Sequence, residues 1–250
     1  METERDELFK RASELYSRCL ETNTVTSTPF LTPAEQYDLS RASEHFGWTN
    51  MRFFGGGPDC ERKVAFFLPA YAAEGGFDPS EYLCAVRATT RFASPGHRDY
   101  LGSLMGLGIR REFLGDIYVS GETACFFCLP SVLRHILMNL ERVGKSGVKT
   151  EQIELDSVPV PVRTGKEIRF SLQSLRLDAV AAGLFGMSRT AAARLIESGQ
   201  ASLNYSVCLK TDAPVAEGDV LSVRGHGKGS IVSCGGTTRK GRIFITAELL

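Results

Sequence analysis

Apolar residues recur at helical spacing over residues 1–20, where Leu8, Ala12, Leu15, Tyr16 and Cys19 fall on one face. The Thr/Ser/Pro-rich stretch that follows predicts a loop. Thr32 then predicts the cap of a second helix, with Pro33 at its first position and Glu35 three residues on from the cap. "MRFFGGGPDCERKVAFFLPAY" predicts a glycine turn and then the strand "KVAFFLP". A further strand, "EYLCAVRAT", is expected near 81–89. Residues 1–90 are read as an N-terminal α/β region whose edge with the next unit stays open.

The middle of the chain alternates between the two periods. "HRDYLGSLMGLG" predicts a helix ended by Gly106 and Gly108, and "FLGDIYVS" and "TACFFCLP" predict two strands joined by the turn "SGE". "PSVLRHILMNLERVG" predicts a second helix with Gly144 at its end, and "TEQIELD" a closing strand. With the strand at 81–89 the succession is β-α-β-β-α-β, the ferredoxin-like order, and the domain is placed at 91–165. RNA-recognition versions of this order carry aromatics together on one strand face. Phe126 and Phe127 are adjacent, so they point to opposite faces and are assigned to the core.

"SVPVPVRTGKEIRF" is proline-punctuated and predicts a linker or edge strands. Two short helices follow. The first carries the apolar stripe Leu177, Val180, Ala181 and Leu184 and ends at Gly186. Ser188 caps the second, in which Ala192, Leu195 and Ile196 face the core. Thr190 and Arg194 lie on the opposite side. Arg189 stands in the first turn, where free N–H groups attract anions. A guanidinium at a helix N-terminus is a sound phosphate grip; the alternative is a solvated helical arginine. Short strands come next, with a return turn at Asn204-Tyr205 that brings Lys210 towards the helix pair. The fold class is therefore α+β and multidomain.

Composition narrows the chemistry. The 250 residues have no net charge, but it runs from −4 over 1–96 through +1 over 97–170 to +3 over 171–250. A mildly basic tail is compatible with nucleic-acid contact there. No apolar run is long enough to span a membrane, and the charged N-terminus lacks the apolar core of a signal peptide, so a cytoplasmic protein is expected. Seven irregularly spaced cysteines read as reduced thiols. Cys125 and Cys128 lack the further soft ligands of a zinc site, and no metal or cofactor is expected. "GGGPD" precedes its strand and "GLG" lacks a later glycine, so neither forms a nucleotide-binding loop. His97, Arg98 and Asp99 open a helix, where the helix dipole explains the aspartate. Arg98, Arg110 and Arg111 are candidates for a second basic surface, for RNA or for a ribosomal protein. Catalytic residues: none.

The combination Arg176-Leu177-Asp178, Ser188-Arg189, Leu195-Ile196 with Gly199, Ala201-Ser202-Leu203-Asn204 and Gly218-Asp219-Val220-Leu221-Ser222-Val223 resembles the alpha-L RNA-binding module, named after small-subunit ribosomal protein S-four. The module is placed at 171–235, with 236–250 as a C-terminal strand or tail. Ser206, where such modules often carry Lys or Arg, and Ser202-Leu203, in place of Val-x-Val, depart from the pattern. The resemblance implies that Arg176, Ser188, Arg189, Thr190, Arg194, Asn204 and Lys210 lie near phosphates of a folded RNA. Over nearly the whole chain, and most tellingly at "HRDYLGSLMGLGIRRE…GDI", the sequence resembles the bacterial YlmH family. That resemblance implies an association with ribosomal RNA and peptidyl-tRNA on the large ribosomal subunit, in the rescue of stalled nascent chains. It also implies possible cell-division partners; a monomer is expected. Alpha-L modules are often fused to pseudouridine synthases and methyltransferases. Here the Arg-Leu-Asp motif already opens the module and the cofactor loop is missing, which favours a non-enzymatic reading. A cell-division interaction scaffold is the other alternative.

Overall fold

The computed structural model describes residues 2–161 and 165–250 and divides the chain into two compact units, residues 1–161 and 162–250. The first unit opens with α1 (Glu2–Thr22), β1 (Thr26–Leu31), α2 (Pro33–Phe46), β2 (Met51–Phe54) and β3 (Lys63–Phe67). Its α2 start is a full capping box: Thr32 Oγ1 accepts from Glu35 N, and Thr32 N donates to Glu35 Oε2 at 2.6 Å. The expected Thr/Ser/Pro loop is partly a strand instead. Thr26, Thr28 and Phe30 suit extended backbone, and Pro29 is tolerated because β1 is an edge strand whose register shifts between Ser27 and Phe30. "MRFF" is likewise a strand rather than only the approach to a turn, and pairs antiparallel with β3.

The second sheet of this unit contains β4 (Cys84–Thr90), β5 (Leu114–Ser120), β6 (Thr123–Cys128), β7 (Arg142–Val143) and β8 (Ser146–Ile153), with α3 (His97–Gly106) after β4 and α4 (Pro130–Asn139) after β6. Its spatial order is β5-β6-β4-β8-β7, which contains the β-α-β-β-α-β succession. The second helix stops at Asn139, not at Gly144. Gly144 (φ 58°) turns the short β7–β8 hairpin, a task for which its missing Cβ suits it.

Four layers result. Leu31, Ala65 and Phe67 on one face of the first sheet bury against Ala12 and Cys19 of α1 and Leu39 and Ala42 of α2. Phe30, Val64 and Phe66 on its other face share a core with Ala85, Cys125 and Phe127 of the second sheet. Val86, Phe126 and Cys128 face the opposite way, into a core with Tyr100, Leu104 and Ile136 of α3 and α4. Strands β3 and β6 are covered on both faces, which is why residues 64–67 and 124–128 are unbroken apolar runs.

The second unit begins with β9 (Lys166–Leu172), an edge strand, so the end of the stretch read as a linker or edge strands takes the second form; residues 162–164 of that stretch lie outside the described residues. Then come α5 (Leu177–Phe185), α6 (Arg189–Glu197), β10 (Ala201–Leu203), β11 (Ser206–Val207), β12 (Val220–Val223), β13 (Gly227–Thr237) and β14 (Ile243–Leu249). The sheet order is β11-β10-β12-β13-β14-β9. The C-terminal residues are thus an integral strand, paired with both β13 and β9. The apolar stripe of α5 and Ala192 and Ile196 of α6 form the core with Leu221, Val223, Ile231 and Ile245. No helix among the described residues is long and apolar enough to cross a membrane.

Candidate nucleic-acid interface

Helix α5 starts in a bed of backbone acceptors. Leu177 N donates to Ala213 O and Asp178 N to Thr211 O, both at 2.9 Å, so the loop carrying Lys210 is fastened to the helix start. Gly186 (φ 64°) ends the helix in the left-handed conformation, and its N–H donates to Ala182 O. Ser188 then caps α6, accepting from Ala191 N at 3.1 Å. The N–H groups of Arg189 and Thr190, the first two of α6, find no acceptor among the described residues. Across the tight Gly186 turn, the Arg189 side chain at the start of α6 reaches back to Asp178 in the first turn of α5.

Asp178 lies in the first turn of α5 and is 5% exposed. Its carboxylate receives Arg189 side-on, Nε at 2.9 Å and Nη2 at 3.2 Å, and Arg176 through Nε at 3.3 Å and Nη2 at 3.4 Å. Ala179 N donates to the same carboxylate at 2.8 Å. Burial alone would raise the Asp178 pKa; the hydrogen bonds and charges of Arg189 and Arg176 outweigh it and hold the carboxyl below the usual range. The two arginine side chains are 55% and 41% exposed, Arg189 and Arg176 respectively. Each turns Nε and Nη2 to Asp178 and has no protein partner for Nη1 among the described residues. Two guanidiniums are therefore oriented from behind with donors free for an anion, beside an open helix N-terminus.

The other expected residues divide. Thr190 and Arg194 are exposed on the outer side of α6, and Lys210 is exposed on the fastened loop. Asn204 is half-buried and serves the turn. Its Nδ2 donates to Asp219 Oδ1 at 2.8 Å, and its Oδ1 accepts from Val220 N at 2.9 Å. Asn204 and Tyr205 both have positive φ (50° and 67°), as a two-residue hairpin between Leu203 and Ser206 requires.

Two contributors escaped the sequence reading. In the sequence Asp178 stands out only as part of a motif, although an acid in an otherwise apolar helix start is itself a sign of paired cations. Arg242 was passed over too. It lines one hollow with Arg189, Gln173, Ser174 and Met187, and its Nη2 donates to the Ser171 carbonyl. The signal was Arg239-Lys240-Gly241-Arg242, three cations in one turn between β13 and β14.

In the first unit Arg98 is exposed in the first turn of α3. Asp99 there accepts from Gly96 N at 2.8 Å, so a local cap accounts for it. Arg110 is exposed, but it pairs with Glu112 at 3.0 Å and lies over the Phe113 ring. The expectation of an open surface cation fails at Arg111. It is half-buried, and its Nη1 donates to Leu114 O at 2.6 Å and Gly115 O at 3.0 Å. Burial and the neighbouring Arg62 push its pKa down to about 10, against the opposite pull of Asp116. Phe126 and Phe127 point to opposite faces, and both are fully buried. Cys125 and Cys128 also lie on opposite faces of β6. No group of three metal-ligating side chains is found among the described residues.

Residues 78–157 match the family model described as "Putative RNA-binding domain in YlmH". The chain is 34% identical over 222 residues to "Ribosome-associated protein quality control protein P2" of Bacillus subtilis (strain 168), covering 88% of this chain and 86% of that protein. The solved structure "Cell division protein ylmH from Streptococcus pneumoniae" superposes with a TM-score of 0.51 at 19% identity, over 62% of this chain and 94% of that one, a likeness of fold.

Proposed function

The chain belongs to the YlmH family, and from that premise we propose that it is a non-enzymatic RNA-binding protein of the cytoplasm. It acts on the large ribosomal subunit, contacts ribosomal RNA and peptidyl-tRNA, and serves quality control of stalled nascent chains. The observation that carries the reading is the Asp178 carboxylate holding Arg176 and Arg189 with their outer donors free at the start of α6. Such a site suits phosphate and folded backbone rather than base edges. Arg194, Lys210 and Arg242 extend it.

The domain assignment belongs to the same proposal. Residues 171–235 form the alpha-L module, 236–250 its C-terminal strand, and 91–165 with the preceding strand form the middle RNA-binding domain after the region 1–90. The name of the B. subtilis relative supports the ribosomal setting.

The test is co-sedimentation of the full chain with large ribosomal subunits over a salt series. Arg189→Ala with Arg194→Ala should weaken binding and flatten its salt dependence, while circular dichroism stays unchanged. Equal binding by the double variant at moderate salt would remove this surface from the mechanism.

A further inference from the structure

In the β-α-β-β-α-β fold, bases are commonly stacked on aromatics of the open sheet face. Here that face is the one buried against the first sheet, and Phe127 lies inside the shared core. Any base stacking by this domain must therefore use an aromatic elsewhere. Within residues 78–157 the choice is narrow. Tyr100, Phe126 and Phe127 are fully buried. Tyr82 packs on Phe66 and Phe77, and Tyr118 donates to Asp116. Phe113 lies under Arg110. Phe92 alone among the Phe and Tyr rings of this stretch is open, and it is 98% exposed.

Phe92 is not a loose loop residue. Its φ is 59°, a left-handed conformation unusual for a bulky side chain, and the surroundings fix it there. Phe92 N donates to Glu122 Oε1 at 3.0 Å. The fully buried Thr90 ties the strand end to the same loop and turn: its N donates to Glu122 O at 2.8 Å and its hydroxyl to Ala93 O at 2.7 Å. A left-handed backbone held by hydrogen bonds from Phe92 N and Thr90 thus presents a bare aromatic face to solvent. Arg91, the preceding residue, lines a hollow with Thr89, Gly147, Val148 and Lys149, beside the end of β4 and the start of β8.

We propose that Phe92 is a stacking platform for an unpaired base of the bound RNA, with the hollow beside Arg91 and Lys149 receiving the adjoining nucleotide. This rests on the RNA-binding reading above. The local charge tells how the site works. Arg87, Arg91 and Lys149 are balanced by Glu122, Glu141 and Glu151, with Arg87 paired to Glu151 at 3.2 Å. A neutral neighbourhood favours stacking over phosphate attraction, so its contribution should be nearly independent of salt.

The experiment uses the full chain with three probes: large ribosomal subunits, protein-free ribosomal RNA of that subunit, and a labelled oligoadenylate. Phe92→Ala should lower affinity for all three about five- to tenfold, the low end for loss of one stacked base, with the salt slope unchanged. Phe92→Trp should retain affinity, and its added fluorescence should be quenched by oligoadenylate. Phe92→Gly, which suits the positive φ, should raise Tm while binding as poorly as the alanine variant, separating stacking from folding. Unchanged affinity of Phe92→Ala, with binding still sensitive to Arg189→Ala, would overturn the stacking platform alone. Loss confined to whole subunits would assign Phe92 to a ribosomal protein and overturn it too. If the wild-type chain binds none of the probes, the RNA-binding reading falls as well.

Discussion

Asp178→Asn separates two accounts of the arginine cluster. If phosphate affinity follows net charge alone, removing a carboxylate from a chain of zero net charge should strengthen binding and steepen its salt dependence. If the carboxylate acts by holding Arg176 and Arg189, binding should weaken. Immobilising a rotamer-rich side chain on binding costs about 0.5–1.5 kcal/mol, so two released arginines cost about 1–3 kcal/mol. Removing a carboxylate about 7 Å from the phosphate relieves about 0.6 kcal/mol of repulsion in bulk water, but about 2.4 kcal/mol at the effective dielectric of about 20 that suits a buried carboxylate. Added salt screens that repulsion and leaves the positioning cost, so at high salt the affinity for large ribosomal subunits should fall about two- to fivefold. Measured by co-sedimentation or anisotropy at two salt concentrations, tighter binding by the asparagine variant at the higher one would refute the argument.

The same substitution has a stability signature. Both arginines are about half exposed, so solvent screening reduces their four hydrogen bonds to Asp178 to about 1–2 kcal/mol in all. Asparagine can still accept from Ala179 N, which keeps the helix start. The folded carboxyl titrates below its unfolded value of about 3.9. Its stabilisation is therefore fully present above that value and lost as pH falls through the folded pKa. Wild type and variant should differ by a constant amount from neutral pH down to about 5, and converge in acid. A difference that persists or grows in acid would contradict the assignment.

Other outcomes follow from the same geometry. Arg111→Ala should destabilise the first unit by about 1–3 kcal/mol through its lost carbonyl contacts, whereas Arg110→Ala should leave thermal unfolding nearly unchanged; equal shifts would contradict the half-buried placement of Arg111. Asn204→Ala should cost about 2 kcal/mol, because it removes both turn bonds and puts alanine at positive φ, and its affinity should recover once the variant is assayed well below its Tm. A Cβ on Gly115 would lie 2.8 Å from Phe30 Cε1 and 2.9 Å from Phe127 Cβ. Gly115→Ala should therefore cost about 1–3 kcal/mol by denaturant titration, and a neutral result would mean that the shared core of the two sheets is looser than drawn.

Local signals in the sequence were strong where one residue's chemistry decides the outcome. Thr32 with Glu35, Ser188 before α6 and Gly186 after α5 mark helix ends because each satisfies or evades a specific backbone requirement. Asn204-Tyr205 marks the hairpin for the same reason. Signals that depend on distant partners were faint. Thr26–Leu31 looked like a loop because its strand character comes from pairing with β3, and Gly144 looked like a helix end because the β7–β8 hairpin is only visible once β8 is placed. Arg111 read as a surface cation because its sequence neighbours are charged. Its guanidinium instead donates to the Leu114 and Gly115 carbonyls and feels the charge of Arg62, 49 positions away in a different sheet connection. The arginines of the second unit were legible as a set, but not the buried acid that aligns two of them.

That difference bears on how the two units could act on RNA. In the second unit a buried carboxylate spends its charge on orientation, and the exposed cations remain outward, so the surface is electrostatic and salt-sensitive. In the first unit the charges near Phe92 cancel, Arg110 is paired, and Arg111 is withdrawn into the fold. What that unit offers is an open aromatic ring on a hydrogen-bonded backbone. Binding energy from stacking survives at salt concentrations that weaken phosphate contacts. Raising the salt should therefore shift the relative cost of substitutions, with Phe92→Ala mattering more and Arg189→Ala less. If both costs fell in proportion, the two surfaces would share one electrostatic mechanism, and the neutral charge count around Phe92 would be the wrong guide to it.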